Sequence, residues 1–563
     1  MRRLTRPPVR ADARSACAPN RRLGRQFNAL ANCAATLREE PRLRPNTAIP
    51  CTADGTPAPD LERFRLRRFL EALDDTELER HDEPVDLGDI AAIMEGNPRA
   101  VWFAKPSGGA ISLAGSVAAS RSRLALAFDT TPQRLLDTVR ERLRVKGKLV
   151  EVSRAEAPVQ QVVLTGDECD FTALPVHLQH DLDGAPYISA SIDFAVDPDT
   201  GWTNVGIRRL MLRGRRTAGV DLVAPSDLRA IAIGHAKRGE RTPIAFAVGT
   251  HPIDHVGATM RIPADELELV AALRGAPMGV VKCVTNDLLV PADAEFILEG
   301  YLDERGHAEP EGPYGEFLGY YGGVKTNPLF HLTAITHRRD AVFQTCTIGG
   351  RSMARTDTAQ LAALRTEVTV WRALETAVRE VKAVYANPAT GGMFNVRIAM
   401  QQRVPGEARN AIAAVFASLA NVKHVFVVDP DIDVFSDEQM DWALATRFQA
   451  DRDLVLQDNL RAMPLDPSLL GATKTAKAGF DLTLPLLAPG AERDLEHRVP
   501  TPPAYHGARF DSLEAALEHG PKRFSELMAA TGTRDGRDVV RWLEDTAQRR
   551  AIRRDAEGRY VFV

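Results

Sequence analysis

Apolar residues recur at helical spacing in LERFRLRRFLEALDD, which begins at Leu61, so a helix is predicted there with Asp60 as its N-cap. Short apolar runs then alternate with turns in AVWFAKPSGG, AISLAGSVAA, LVEVSR and QVVLTG, and TPQRLLDTVRERLR carries a second helical pattern. Together they predict a small α/β domain over residues 61–170. Between residues 185 and 350 the texture changes to that of strands. PYISASIDFAVD, VGIRRLMLR, PIAFAVG, GVVKCVTN, AEFILEGYLD, FHLTAITH and AVFQTCTI are strand-length and rich in β-branched or aromatic residues. Only DLRAIAIGHAKRG and ADELELVAALRG read as helices among them, which predicts a barrel or sandwich rather than a doubly wound sheet. Strand and helix alternate again from residue 355 to 490, where NVRIAMQQ, GEARNAIAAVFASLA and KHVFVVDPDID form a strand–helix–strand unit. The proline-rich LPLLAPGAERDLEHRVPTPPAY then reads as a linker. After it, residues 504–563 give helix, turn, helix and hairpin, a winged-helix-like tail.

Composition narrows the picture. A chain of 563 residues exceeds one compact core, so about three or four domains are expected. The 71 basic and 75 acidic side chains leave a net charge of −4, with no global attraction to nucleic acid or an anionic membrane. No apolar run reaches the length of about 18 residues that a spanning helix needs. Six scattered cysteines without a CxxC pair predict reduced thiols and a cytoplasmic location. Residues 1–60 stand apart, with 11 Arg and no Lys against 5 acidic residues. They are expected to be a disordered or non-native extension without a role in the fold; an organelle transit peptide is the other reading.

Two segments carry the densest chemistry. In EPEGPYGEFLGYYGG, Glu311 and Glu316 bracket a Gly-Pro-Tyr-Gly turn. A rigid turn that fixes two carboxylates in different surroundings suits acid–base work, whereas a lone pair of glutamates is more often a solvated loop. In DPDTGWTNVGIRRLMLR, a turn feeds a strand bearing Asn204, Arg208 and Arg209. Extended backbone sends the two arginines to opposite faces, so one meets solvent while the other can enter a pocket and pair with a carboxylate. Weaker signals are Glu266 in a proline-initiated helix and Lys477 entering a strand in KAGFDLT. The histidines of PVHLQHD (His177, His180) and GTHPIDH (His251, His255) lack supporting ligands and read as loop or core residues.

In their order and spacing these segments resemble the UbiD family of prenylated-FMN-dependent (de)carboxylases. The matching stretches are LRRFLEAL, NVGIRR, VVKCVTNDLLVPADAEFILEG, EGPYGEFLGYYGG, VVDPDID, WALATR and KAGFDLT, covering roughly residues 62–485. The resemblance implies a multidomain α/β protein: an N-terminal α/β domain, a central β-rich split-barrel-like flavin-binding domain over 171–350, and a C-terminal α/β oligomerisation domain over 351–490. It implies Arg209 as catalytic, Glu311 as its partner, and Glu316 as proton donor and acceptor. Asn204, Ile207, Arg208, Arg209, Thr259, Met260, Glu266 and Lys477 would contact the cofactor. Asn204 and Glu266 would hold a divalent cation, Mn²⁺ or Mg²⁺, with K⁺ as a companion ion. The family's third metal ligand is a histidine; here Asp227 occupies the best-matching place and His235 falls a helix length too late.

The reaction so implied is reversible non-oxidative decarboxylation of an aromatic or α,β-unsaturated acid. A flavin prenyltransferase would supply the cofactor, and a homodimer or larger homo-oligomer would form. Two rival readings remain at this point. One is a catalytically impaired family member in which Asp227 fails as a ligand. The other is a DNA-binding regulator working through its tail. Residues 534–554 hold seven arginines, but Asp535, Asp538, Glu544 and Asp545 interrupt them, so no one-sided basic stripe results.

Overall fold

In the computed structural model, residues 57–488 and 491–563 are described. The expectation about residues 1–60 therefore falls, up to residue 56, outside the described residues.

The central strands close into a ring. Phe296–Leu302 pairs with Thr242–Val248, which pairs with Tyr187–Val196, then Thr203–Leu212, Thr217–Val220 and Leu329–His337. Leu329–His337 in turn pairs with Phe296–Leu302, so six antiparallel strands form a barrel and no edge is left open. Phe246, Phe296, Phe330, Leu210 and Val220 are buried in its apolar core. The closed ring decides between barrel and sandwich.

Strands near the flanks of the barrel serve two layers. Val162–Thr165 adds to Leu329–His337, and Leu149–Glu151 runs parallel to Met278–Lys282. Val342–Gln344 leaves the barrel region to complete a four-stranded sheet with Leu78–His81, Ala100–Phe103 and Ser112–Gly115. The C-terminal portion is a five-stranded mixed sheet in which Asn395–Met400, His424–Val428 and Lys474–Asp481 are parallel neighbours. Helices Asp357–Ala377 and Glu407–Ala417 contribute Leu364, Val368, Ile412 and Val415 to the core that this sheet shares.

Three departures from the expected elements have physical causes. The first helix is shorter, Leu66–Glu71, because Asp60 accepts from the backbone N–H groups of Glu62 and Arg63 and caps a separate turn instead. A third helix, Pro252–Thr259, joins the two expected in the barrel region. Residues 252–258 are all buried, so no polar stripe marks it as a helix in the sequence. The tail has three helices, Leu513–Glu518, Phe524–Thr531 and Gly536–Ala547, before the hairpin Ile552–Arg554/Tyr560–Phe562. Leu517, Leu527, Met528 and Val539 fill its own small core. Among the described residues no helix is long and apolar enough to cross a membrane. Cys169, Cys283 and Cys346 are free and buried.

Candidate active site

Strand Thr203–Leu212 organises the site. Opposite Arg209 the neighbouring strand bulges: Ile188 pairs with Leu210 and Ser191 with Arg208, so Ser189 and Ala190 face one residue. A bulge re-aims a side chain, and here Arg209 reaches the EGPYGE segment. Its Nε and Nη2 donate to the two oxygens of Glu311 at 2.8 and 2.9 Å, and Nη1 donates to Glu316 Oε1 at 2.7 Å. Asp221 Oδ2 lies 3.1 Å from Nη2. Burial opposes the arginine's charge, but the bonds from Glu311 and the charges of Glu316 and Asp221 outweigh it and raise its pKa. The Tyr314 ring lies over the guanidinium, 4.6 Å from its centroid.

The carboxylates are placed by two small ladders. Glu309–Glu311 pairs antiparallel with Lys325–Asn327, setting Lys325 directly across from Glu311. Tyr314–Gly315 pairs with Tyr321–Gly322. Gly312 takes a φ of 99°, a conformation that glycine tolerates, and at Gly322 an added Cβ would meet Glu316 Oε1 at 2.8 Å. Asn327 Nδ2 donates to Glu311 Oε2 at 3.2 Å and to Asp221 Oδ1 at 3.3 Å. Lys325 Nζ sits 3.3 Å from Glu316 Oε1 and 3.5 Å from Asp221 Oδ2. Burial works against the Asp221 charge, but Arg209 and Lys325 prevail and lower its pKa.

Arg208, on the same strand, does not reach bulk solvent alone. Its Nε lies 3.5 Å from buried Asp193 and its Nη2 donates to Ser226 at 3.2 Å. A cavity of about 580 Å³ adjoins it, lined by Asn204, Ile207, Arg208, Asp227, Thr259, Met260 and Glu266 among others. A second cavity, of about 200 Å³, shares Ile207, Arg208 and Arg261 with it and adds Arg209, Tyr314 and Glu316. So the structure gathers every candidate except Glu311, which is fully buried behind Arg209, and Lys477. Lys477 is buried in the C-terminal sheet, donates to the Phe416 carbonyl at 3.3 Å, and is lowered to about 8 by burial and the Arg461 charge.

One wall of the larger cavity is acidic. Helix Glu266–Arg274 is clamped to strand Thr203–Leu212, because Asp265 accepts from Thr203 N–H at 2.8 Å and Glu266 from Val205 N–H at 2.7 Å. Asn204, between them, donates to Asp193 Oδ2 at 2.7 Å. Burial, with the charges of Asp193 and Asp227 adding to it, pushes Glu266 up to about 7. Burial likewise pushes Asp193 up to about 6, and its Oδ1 has no hydrogen-bond partner. Asp227 is exposed at the first turn of Asp227–Lys237, and His235 lies at the far end of that helix, bonded to Glu240. The same cavity is also lined by Arg261 and Arg365, for which no ion pair is found among the described residues. Burial and the charge of Arg261 lower Arg365 to about 10.

Acids that resist ionisation beside arginines that lack counter-ions suit a cation and an anionic group placed together. Of the other histidines, His177 bonds Thr345 and the Leu178 carbonyl, His180 bonds Asp183, His251 accepts from the Ile253 N–H, and His255 bonds Thr250 through Nδ1 while its buried Nε2 has no partner among the described residues. Asp221, Lys325, Asn327, Arg261 and Arg365 escaped the sequence reading. Arg261 directly follows the candidates Thr259 and Met260 and Asp221 lies shortly before Asp227, yet no motif marks either; Lys325, Asn327 and Arg365 are brought in by strand pairing or packing.

Three family models describe this chain in succession. The 3-octaprenyl-4-hydroxybenzoate carboxy-lyase N-terminal domain matches residues 70–143, the Rift-related domain 150–352, and the C-terminal domain 359–482. The chain belongs to the UbiD family. Among relatives of this UbiD chain, anhydromevalonate phosphate decarboxylase of Methanosarcina mazei is 35% identical over 321 residues, 57% of this chain and 74% of the relative. Among solved structures, the UbiD-class enzyme HmfF of Pelotomaculum thermopropionicum, in complex with FMN, superposes with a TM-score of 0.73 at 33% identity. That match covers 78% of this chain and 98% of HmfF. Vanillic acid decarboxylase of Sedimentibacter hydroxybenzoicus gives a TM-score of 0.71 at 30% identity, covering 78% and 96%. This UbiD-family chain is accordingly an enzyme, a carboxy-lyase, built on a six-stranded barrel.

Proposed function

We propose that the chain catalyses reversible, non-oxidative decarboxylation of an aromatic or α,β-unsaturated carboxylic acid with prFMN. The observation that carries this reading is the Arg209 cluster: one guanidinium, held on one edge by both oxygens of Glu311, meets Glu316 with its remaining nitrogen. Pinned in that way, Arg209 can orient a substrate carboxylate without reorganising. The 200 Å³ cavity it lines has aromatic and apolar walls at Tyr314, Phe317 and Ile348, suited to a planar acid.

The larger cavity, of about 580 Å³ and lined by both acids and arginines, is the place this reading gives the cofactor. Ile207, Thr259 and Met260 would lie beside the flavin, and Asn204, Glu266 and Asp227 would hold a divalent cation, Mn²⁺ or Mg²⁺, with K⁺ as its companion, against the phosphate. Arg261 and Arg365 would neutralise that phosphate. When bound, the modified flavin accepts the electron pair left as the bond to CO₂ breaks. The chain's own residues do the rest. Glu311 keeps Arg209 in place, Arg209 aligns the departing carboxylate, and Glu316 delivers a proton to the carbon that has lost it. In the carboxylation direction Glu316 takes that proton back.

The tests are holoenzyme formation and turnover. Co-expressed with a flavin prenyltransferase, the chain should carry a flavin-like absorption band and release CO₂ from at least one acid of an aromatic and acrylic panel. A fully loaded enzyme that acts only on saturated acids would overturn the substrate class. A chain that takes up neither FMN nor prFMN would favour the impaired-member reading.

A further inference from the structure

We infer that Lys325 is a positioning residue: it holds one oxygen of Glu316, leaves the other to carry the proton, and sets how readily Glu316 gives that proton up. This rests on the role proposed for Glu316.

The geometry is that of a shared acceptor. Glu316 Oε1 receives Arg209 Nη1 at 2.7 Å and Lys325 Nζ at 3.3 Å. Among the described residues no hydrogen bond reaches Glu316 Oε2. An oxygen facing two cations is the poorer base of the pair, so a proton on this carboxyl resides on Oε2. The ladder that pairs Lys325 with Glu311 fixes the ammonium's place, and the lysine's chain is only about a fifth exposed, with 22% of its surface open to solvent.

Charge gives the lysine its second effect. The groups around Glu316 are Arg209 and Lys325 against Glu311 and Asp221, with the Tyr314 ring packed on the guanidinium. Arg208 and Arg261 line the same cavity as Glu316. Remove Lys325 and Glu316 loses a cation held against one of its oxygens, so it clings to its proton. Remove the Asp221 charge instead and a neighbouring anion is lost, so Glu316 releases its proton more easily. The two substitutions must move Glu316 in opposite directions.

The experiment is a carboxyl titration of the full-length chain labelled with ¹³C-glutamate and loaded with FMN. The Glu316 signal is identified by its loss in Glu316→Gln. In Lys325→Met its midpoint should rise by about one pH unit or more. Lys325→Arg should restore it, and Asp221→Asn should lower it. Lys325→Gln serves as a second neutral replacement should the methionine variant fold poorly. An unmoved midpoint in the neutral variants would overturn the inference, as would Lys325→Arg behaving like Lys325→Met. Because the titration needs no turnover, it reads out even if wild type releases no CO₂, so failure of the reaction reading is separately visible. Where CO₂ is released, the alkaline limb of kcat should move with the midpoint.

Discussion

At the scale of single residues, the two glutamates that the sequence brackets with a Gly-Pro-Tyr-Gly turn prove to share one arginine. The turn and the arginine strand were legible because glycine, proline and paired acids cluster in short motifs. Their electrical setting was not. The sequence puts the two carboxylates in different surroundings without saying which charges face Glu316; it meets Arg209 and Lys325, the latter on a strand that the ladder with Glu309–Glu311 brings near. Asp227 is a residue-scale question of its own. The sequence reading offered it as a metal ligand, and its charge contributes to raising Glu266. Asp227→Ala is expected to lower the metal content found by elemental analysis and to speed loss of bound flavin; unchanged metal occupancy would take Asp227 out of the site. Glu266 predicts a pH effect. In the unfolded chain its carboxyl ionises near its ordinary value of 4.5, in the folded cofactor-free chain near 7. Across that window the unfolded state holds fewer protons, so stability falls as pH rises from about 4.5 to about 7. Glu266→Gln should flatten this part of the stability curve, and Mn²⁺ with FMN should raise Tm more at the upper end of the window than at the lower.

At the scale of elements, the barrel strands were readable from their β-branched and aromatic runs, but their order was not. Strand alternation says which residues face inward; it does not say that Leu329–His337 meets Phe296–Leu302 and closes the ring. The helix Pro252–Thr259 escaped for the opposite reason, being buried all round. It is tied to helix Glu266–Arg274 by Arg274, whose Nε donates to Asp254 Oδ1 at 2.7 Å and whose Nη1 donates to Asp293 Oδ2 at 2.6 Å. All three side chains are almost fully buried. Arg274→Ala would leave two carboxylates buried without a counter-charge, a loss of about 3–5 kcal/mol. Denaturant unfolding should show it, and flavin affinity should fall too, since these helices carry Thr259 and Glu266. A loss under about 1 kcal/mol would mean that water or the neighbouring arginines replace the ion pair.

At the scale of the whole molecule, the chain is a UbiD-family carboxy-lyase with a further segment after the linker. Residues 483–510 contain only one short turn of helix, Leu495–His497, among their described residues, whereas the tail beyond packs a core of its own. Limited proteolysis is expected to cut between Pro485 and Tyr505 and to leave a larger fragment that keeps its flavin. A fragment that sheds flavin or aggregates would make the tail part of the active domain. The family itself was recognisable because its motifs are local; the substrate was not, since the cavity walls come from Ser189, Arg261, Phe317 and Ile348, scattered along the chain. The central claim, that Arg209 and its two glutamates replace CO₂ by a proton from Glu316, is tested most directly by deuterium exchange. Holoenzyme and decarboxylated product are incubated in D₂O, and uptake at the carbon that had borne the carboxylate is followed by NMR. Wild type should exchange that hydrogen. Glu316→Gln should do so about a hundredfold to ten-thousandfold more slowly while still binding flavin and product. Glu311→Gln should slow exchange and weaken product binding together, because Arg209 loses its support. Exchange by Glu316→Gln at the wild-type rate would contradict the account, since the proton would then come from another group.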